Sequence, residues 1–221
     1  MVKIFCVNAQ TSMTFPEGTT LMDMLPAFEF EKPYPILCAK VNNVSQGLKY
    51  RAFNSRKVEF LDYTSYIGRS VYCNSLCFLL CKAAKDVFPN CRVVLRRPIS
   101  KGYFCSISKG DGGEMTSADL ELIKARMNEL VEADIPFRRH EVLLEEAIGL
   151  FRSLGYEDKV KLLETSGDVY VNYYTLEDTP DYYYEALLSS TGYLKVWSLE
   201  MYRGGMLLRV PSRHKPEELA P

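Results

Sequence analysis

The chain has 221 residues, 47% hydrophobic and 25% charged, with a formal net charge of −1. Those proportions fit a soluble globular protein with one large domain or two modest ones. They exclude an overall basic field of the kind that advertises nucleic acid, and an acidic excess of the kind that marks disorder. No stretch approaches the ~20 apolar residues of a spanning helix, so no membrane partner is expected. The N-terminal MVKIFCVNAQ lacks the apolar core and cleavage site of a signal peptide. Seven cysteines without such a signal predict a reducing cytoplasm and no disulfide framework.

In chain order, Val2 to Val7 alternates as a strand, and Ser12 to Phe15 reads as its hairpin partner. Pro16-Glu17-Gly18 breaks the pairing, and a short helix follows, with Thr19 or Thr20 as N-cap and Asp23 in its positive first turn. Ile36 to Val41 and Lys57 to Leu61 complete an arrangement of strand, strand, helix, strand, strand. Tyr72 to Val87 carries apolar residues at helical spacing and predicts a long buried helix. Cys91 to Arg96 and Tyr103 to Ile107 read as strands, and Thr116 caps a helix to about Ala133 with Asp119 three residues on. Arg138 to Leu143 is strand-like, and Leu144 to Leu154 is a helix closed by Gly155. Val169 to Tyr174, Tyr193 to Leu199 and Met206 to Val210 are expected strands, and the polar tail from Pro211 reads as a linker or a frayed end.

Few residues fall in patterns that carry catalytic chemistry. Gly110-Asp111-Gly112-Gly113 lacks the lysine and hydroxyl of a phosphate loop and reads as a turn. Of the two histidines, His140 lies in a strand beside Arg138 and Arg139, and His214 lies in the tail, which gives general-base work little support. Cys73, Cys77 and Cys81 share one helix face. Three thiolates there would begin a metal site, but the neighbours Leu76, Phe78, Leu79 and Leu80 favour core packing. The tyrosines Tyr170, Tyr173, Tyr174 and Tyr182 to Tyr184 read as half-buried strand residues or, alternatively, as a stacking platform for bases beside Arg92, Arg96 and Arg97.

The first sixty residues resemble a TGS domain through Phe15-Pro-Glu-Gly-Thr-Thr-Leu21, Ala39-Lys-Val-Asn-Asn43 and Gly47-Leu48. From Asn74-Ser-Leu-Cys-Phe78 through Val87-Phe-Pro89, Gly102-Tyr-Phe104, Thr116 to Met127, Ile135-Pro-Phe137, Phe151 to Gly155 and Ser190-Thr-Gly192, the chain resembles the editing domain of threonyl-tRNA synthetases. The resemblance implies an α+β chain. A β-grasp (ubiquitin-like) TGS domain would span residues 1–63, a degenerate editing-like domain 64–211, and a linker or tail 212–221. It also locates the family's H-x-x-x-H at Asn74 and Phe78, and its C-x-x-x-H at Tyr183 and Leu187. Loss of all four implies no catalytic residue, no metal and no cofactor. The cleft left behind would be lined by Asn74, Phe78, Lys82, Tyr183 and Leu187, with shape as their role.

The same degenerate pair resembles the N-terminal region of uridine-kinase-like proteins, and Gly204 to Pro211 looks like the join towards a P-loop kinase domain. The leading expectation is therefore a non-catalytic accessory module of a nucleoside-kinase-like protein. Its expected partners are a C-terminal, ATP-dependent kinase domain, RNA or tRNA, or a small nucleoside or amino-acid ligand. The alternative is a tRNA-binding or aminoacyl-tRNA editing module related to threonyl-tRNA synthetase.

Overall fold

Alternation of Val2, Ile4 and Cys6 toward one side, with Lys3 outward, sets the first strand and its buried face. The computed structural model describes residues 1–99, 102–110 and 112–220, with the side chains of Arg97 and Pro98 outside that description. The Gly-rich turn at 110–113 is therefore described except for Asp111, and the Arg97 side chain, expected as a nucleic-acid cation, lies outside the description.

Strand β1 (Val2–Cys6) pairs antiparallel with β2 (Thr11–Phe15). The two-residue β3 (Thr19–Thr20) leads into α1 (Leu21–Met24), where the Thr20 side chain accepts from the Asp23 backbone as the sequence predicts. Strands β4 (Cys38–Val41) and β5 (Val44–Gly47) form a hairpin turning at Asn42 and Asn43, both at positive φ. The short β6 (Arg51–Ala52) pairs with β3, and β7 (Arg56–Leu61) runs parallel to β1 and antiparallel to β4. Among the described residues the sheet order is β2-β1-β7-β4-β5. Ile4, Leu21, Met24, Phe28, Leu48 and Phe60 fill the core between this sheet and α1.

Helix α2 (Tyr66–Val87) starts where the Ser65 side chain accepts from the Gly68 backbone. Its buried residues occupy every face, from Val71 and Tyr72 through Phe78 to Ala84, so it is a core element rather than an amphipathic cover. Strands β8 (Arg92–Ile99) and β9 (Gly102–Ser108) pair antiparallel with a register shift between Leu95 and Pro98, where proline cannot donate. Helix α3 (Ser117–Glu132) opens on a full capping box between Thr116 and Asp119.

Beyond it, β10 (Phe137–Leu143), α4 (Leu144–Ser153) and α5 (Glu157–Glu164) precede β11 (Tyr170–Leu176) and β12 (Thr179–Asp181). Strands β13 (Ser198–Tyr202) and β14 (Gly205–Arg209) close the chain's second large sheet, in the order β13-β14-β9-β8, beside the sheet β10-β11-β12. The architecture is mixed α+β with several sheets.

Two local expectations change. Residues 193–197 do not join a strand. Thr191–Tyr193 forms a 3-10 turn, in which the Thr191 Oγ1 accepts from the Ile135 backbone at 2.8 Å and the Gly192 backbone donates to Asp134 at 2.9 Å. These bonds tie the segment to the end of α3 and delay the strand to Ser198. Helix α5 is additional; it buries Val160 and Leu163 against Phe151 and Val171. Residues 212–220 turn back on the sheet, with Ser212 donating to Glu218 at 2.8 Å and Ala220 to Val210 at 3.0 Å. Leu37, Cys38, Leu61 and Tyr63 belong to the larger core around α2, so the junction between the first sheet and the remainder is apolar.

Candidate functional site

Asn74 and Phe78 stand one turn apart on α2, and Tyr183 and Leu187 lie in the segment after β12. That segment is pinned to the helix: the Leu188 backbone donates to the Ser75 hydroxyl at 2.9 Å, and that hydroxyl donates to the Val71 carbonyl at 2.7 Å. Glu185 accepts from the Ser70 hydroxyl and, at 3.4 Å, from the Asn74 amide.

The apolar members meet in the core. Phe78 is 0% exposed, its ring centroid 5.6 Å from Tyr183 and 5.8 Å from Phe137, and Leu187 lies in the same cluster. Burial, reinforced by Cys81 and Cys77, pushes the Tyr183 hydroxyl well above the ordinary tyrosine range, so it stays protonated. Lys82, one turn beyond Phe78, has its ammonium 2.7 Å from Asp86, 2.7 Å from Asp178 and 3.2 Å from Glu177. Burial pulls against its charge, but these carboxylates win and hold it above the usual lysine value. Of the five expected lining residues, then, three pack in or against the apolar core, while Asn74 and Lys82 are engaged with carboxylates. Leu187 is the one of the five that also borders a cavity described below.

No group of three His, Cys, Asp or Glu side chains capable of holding a metal occurs among the described residues. Cys73 and Cys77 are buried and Cys81 is half-buried. Burial raises the Cys77 thiol well above its ordinary value and pushes Cys81 to about 11, as expected of cysteines that pack rather than react. His140 stacks on Tyr173 at 4.9 Å, and its Nε2 lies 2.9 Å from the Thr175 hydroxyl. The tyrosines divide: Tyr174 is buried on β11, whereas Tyr170 and Tyr184 are exposed.

Three cavities flank this core. One of about 650 Å³ is walled by Tyr34, Tyr63, Tyr72, Tyr193 and Pro211. A second, of about 560 Å³, lies between Cys81, Lys85, Tyr156, Lys159 and Asp181, with Lys159 ion-paired to Asp181. The third, of about 200 Å³, is bounded by Gln46 on β5 and Lys49 in the turn after it, and by Arg139, Leu187 and Ser189 from the other side. Lys49, Arg139 and Ser189 did not stand out in the sequence. The adjacent Arg138 and Arg139 are visible there, but their approach to Lys49 depends on packing between distant segments.

By sequence the chain is homologous to the N-terminal region of threonyl-tRNA synthetase, and its architecture is mixed α+β. In particular, the chain is 28% identical over 188 residues to the threonine–tRNA ligase of Desulforamulus reducens, a match covering 85% of the chain and 29% of that ligase. It is 29% identical over 191 residues to the threonine–tRNA ligase of Syntrophotalea carbinolica, covering 86% and 30%. With that of Azobacteroides pseudotrichonymphae it shares 25% over 199 residues, covering 90% and 31%. The chain thus spans about three-tenths of the length of these relatives. No protein-family model matches it. These relatives are ligases, and they lend no support to the expected uridine-kinase context or to an ATP-dependent kinase partner.

Proposed function

We propose that the chain is a non-catalytic, tRNA-contacting accessory module. On this reading residues 1–63 form a TGS domain of β-grasp type, residues 64–211 an editing-like domain, and residues 212–221 a tail. The parallel β1–β7 pair beside two antiparallel hairpins, with α1 across the sheet, supports the first assignment.

The observation that carries the non-catalytic reading is the packing of Phe78 against Tyr183. On this reading, two aromatic rings whose space is filled by each other and by Phe137 stand where editing chemistry would need groups that bind a metal or move a proton. The relatives are threonine–tRNA ligases, and this supplies tRNA as the partner class. Free cysteines fit a cytoplasmic setting for it.

The test is filter binding of bulk tRNA at 50 and 200 mM salt, alongside deacylation of a misacylated tRNA. The expected result is saturable tRNA binding that weakens steeply with salt, and deacylation no faster than the spontaneous rate. Absence of binding at the lower salt would overturn the tRNA reading, and deacylation above background would restore the editing one.

A further inference from the structure

The 200 Å³ cavity between the first sheet and β10 has an unusual balance of groups. Lys49 and Arg139 border it, and among the described residues no carboxylate does. Arg139 Nε donates to Asn172 Oδ1 at 2.9 Å and Nη1 to Gln46 Oε1 at 3.4 Å. Both acceptors are neutral, so they fix the guanidinium plane without cancelling its charge. Among the described residues Lys49, Arg138 and Arg139 form no ion pair, in contrast to Lys82 and Arg126, which carboxylates surround.

A second, independent feature lies at the same place. Ser189 borders the cavity at 5% exposure, and its Oγ is buried with no hydrogen-bond partner among the described residues. A buried hydroxyl without a partner is an unfavourable arrangement that an acceptor oxygen relieves. Burial and the nearby Arg138 also hold the Lys49 ammonium below its ordinary value, with Asp134 pulling the other way. Two solvent-facing cations with no carboxylate in ion-pair contact, beside an orphaned donor, suit one kind of guest.

We propose that this cavity is a phosphate-binding site, in which Lys49 and Arg139 contact the anion and Ser189 donates to one of its oxygens. A phosphate group suits it because several acceptor oxygens on one centre can meet a fork, an ammonium and a hydroxyl together. The volume equals the share of about six or seven liquid water molecules and is below the ~300–1,000 Å³ pocket of a drug-sized ligand. The site therefore takes the phosphate and leaves the rest of its bearer outside. Both the backbone of a nucleic acid and a free phosphomonoester meet that description. The inference rests on the tRNA reading only for the choice between them.

The test is calorimetric titration of the full chain, in chloride buffer, with inorganic phosphate, adenosine 5′-monophosphate and bulk tRNA. The variants are Arg139→Gln and Ser189→Ala, with Lys161→Gln on the exposed side of α5 as the control; circular dichroism melting checks that each is folded. The expected result is one-to-one phosphate binding, weakened about tenfold or more by Arg139→Gln, reduced by Ser189→Ala and unchanged by Lys161→Gln. A parallel loss of tRNA affinity in Arg139→Gln assigns the phosphate to a nucleic-acid backbone. A loss confined to the monophosphates assigns it to a free phosphomonoester. Phosphate binding without any tRNA binding keeps the site and removes the tRNA reading. No saturable binding of any of the three probes, or equal phosphate affinity in Arg139→Gln, overturns the site.

Discussion

The ring centroids of Phe78 and Tyr183 lie 5.6 Å apart at an interplanar angle of 33°, joining the middle of α2 to the segment after β12. Because Phe78 is fully buried, truncating it leaves a cavity that the surrounding helix and strands cannot easily close. Phe78→Ala is expected to cost about 3–5 kcal/mol, read from the urea midpoint at an unchanged slope. A loss below about 1 kcal/mol would mean the ring is not part of the packed core.

Gly68 sits in the first turn of α2 against the preceding chain. A Cβ there would come within 1.9 Å of the Asp62 carbonyl oxygen and 2.9 Å of Ser65 Oγ, the atom that caps the helix. Gly68→Ala is therefore expected to destabilise by about 1–3 kcal/mol despite alanine's better helix propensity. Thermal melting would show this as a drop of several degrees, and a rise in Tm would refute the close approach.

The capping box of α3 gives a test in acid. Hydrogen bonds from Lys109 and Thr116 hold the Asp119 carboxyl at about 2. A depressed folded value stabilises above the unfolded carboxylate range near ~3.9, and that contribution fades as pH falls toward 2. Thr116→Ala should cost about 1 kcal/mol near neutrality and flatten part of the acid-side decline. Stability profiles of the two proteins that run parallel from pH 5 to pH 2 would count against this coupling.

All seven cysteines are free, and six are buried. Their thiols should react slowly with a disulfide reagent at pH 8 in the native protein, Cys81 first because it alone is partly exposed, and all seven should titrate after denaturation. Rapid native labelling of Cys77 would contradict its place in the core.

Local signals read best where a few adjacent residues decide the outcome. Thr116 with Asp119 announces a capping box, and the apolar run through Leu76 to Leu80 announces a buried helix. Helix α5 is harder to see because only Val160 and Leu163 of its eight residues are buried, too few to show a period. The strand expected from Tyr193 loses to long-range bonds at Thr191 and Gly192 that no local propensity encodes. Asn74, Phe78, Tyr183 and Leu187 come as a set only from the resemblance, and nothing local in the sequence shows that the Phe78 ring packs against both Tyr183 and Phe137. Likewise the Arg139–Gln46 contact spans 93 residues, so the cavity with Lys49 and Ser189 exists only once the sheets meet.

Strand β14 occupies an interior place in its sheet, between β13 and β9, although it comes last in chain order among the described strands. During synthesis from the N-terminus, β9 must wait for more than ninety further residues before Met206, Leu207 and Leu208 arrive beside Cys105, Phe104 and Tyr103. Until then the nascent chain presents an open sheet edge and an uncovered flank of α2. A ribosome stalled before Gly205 would thus release a species inclined to pair with its own copies, although the first sheet, complete by Leu61, and the β10-β11-β12 sheet, complete by Asp181, would already be in place.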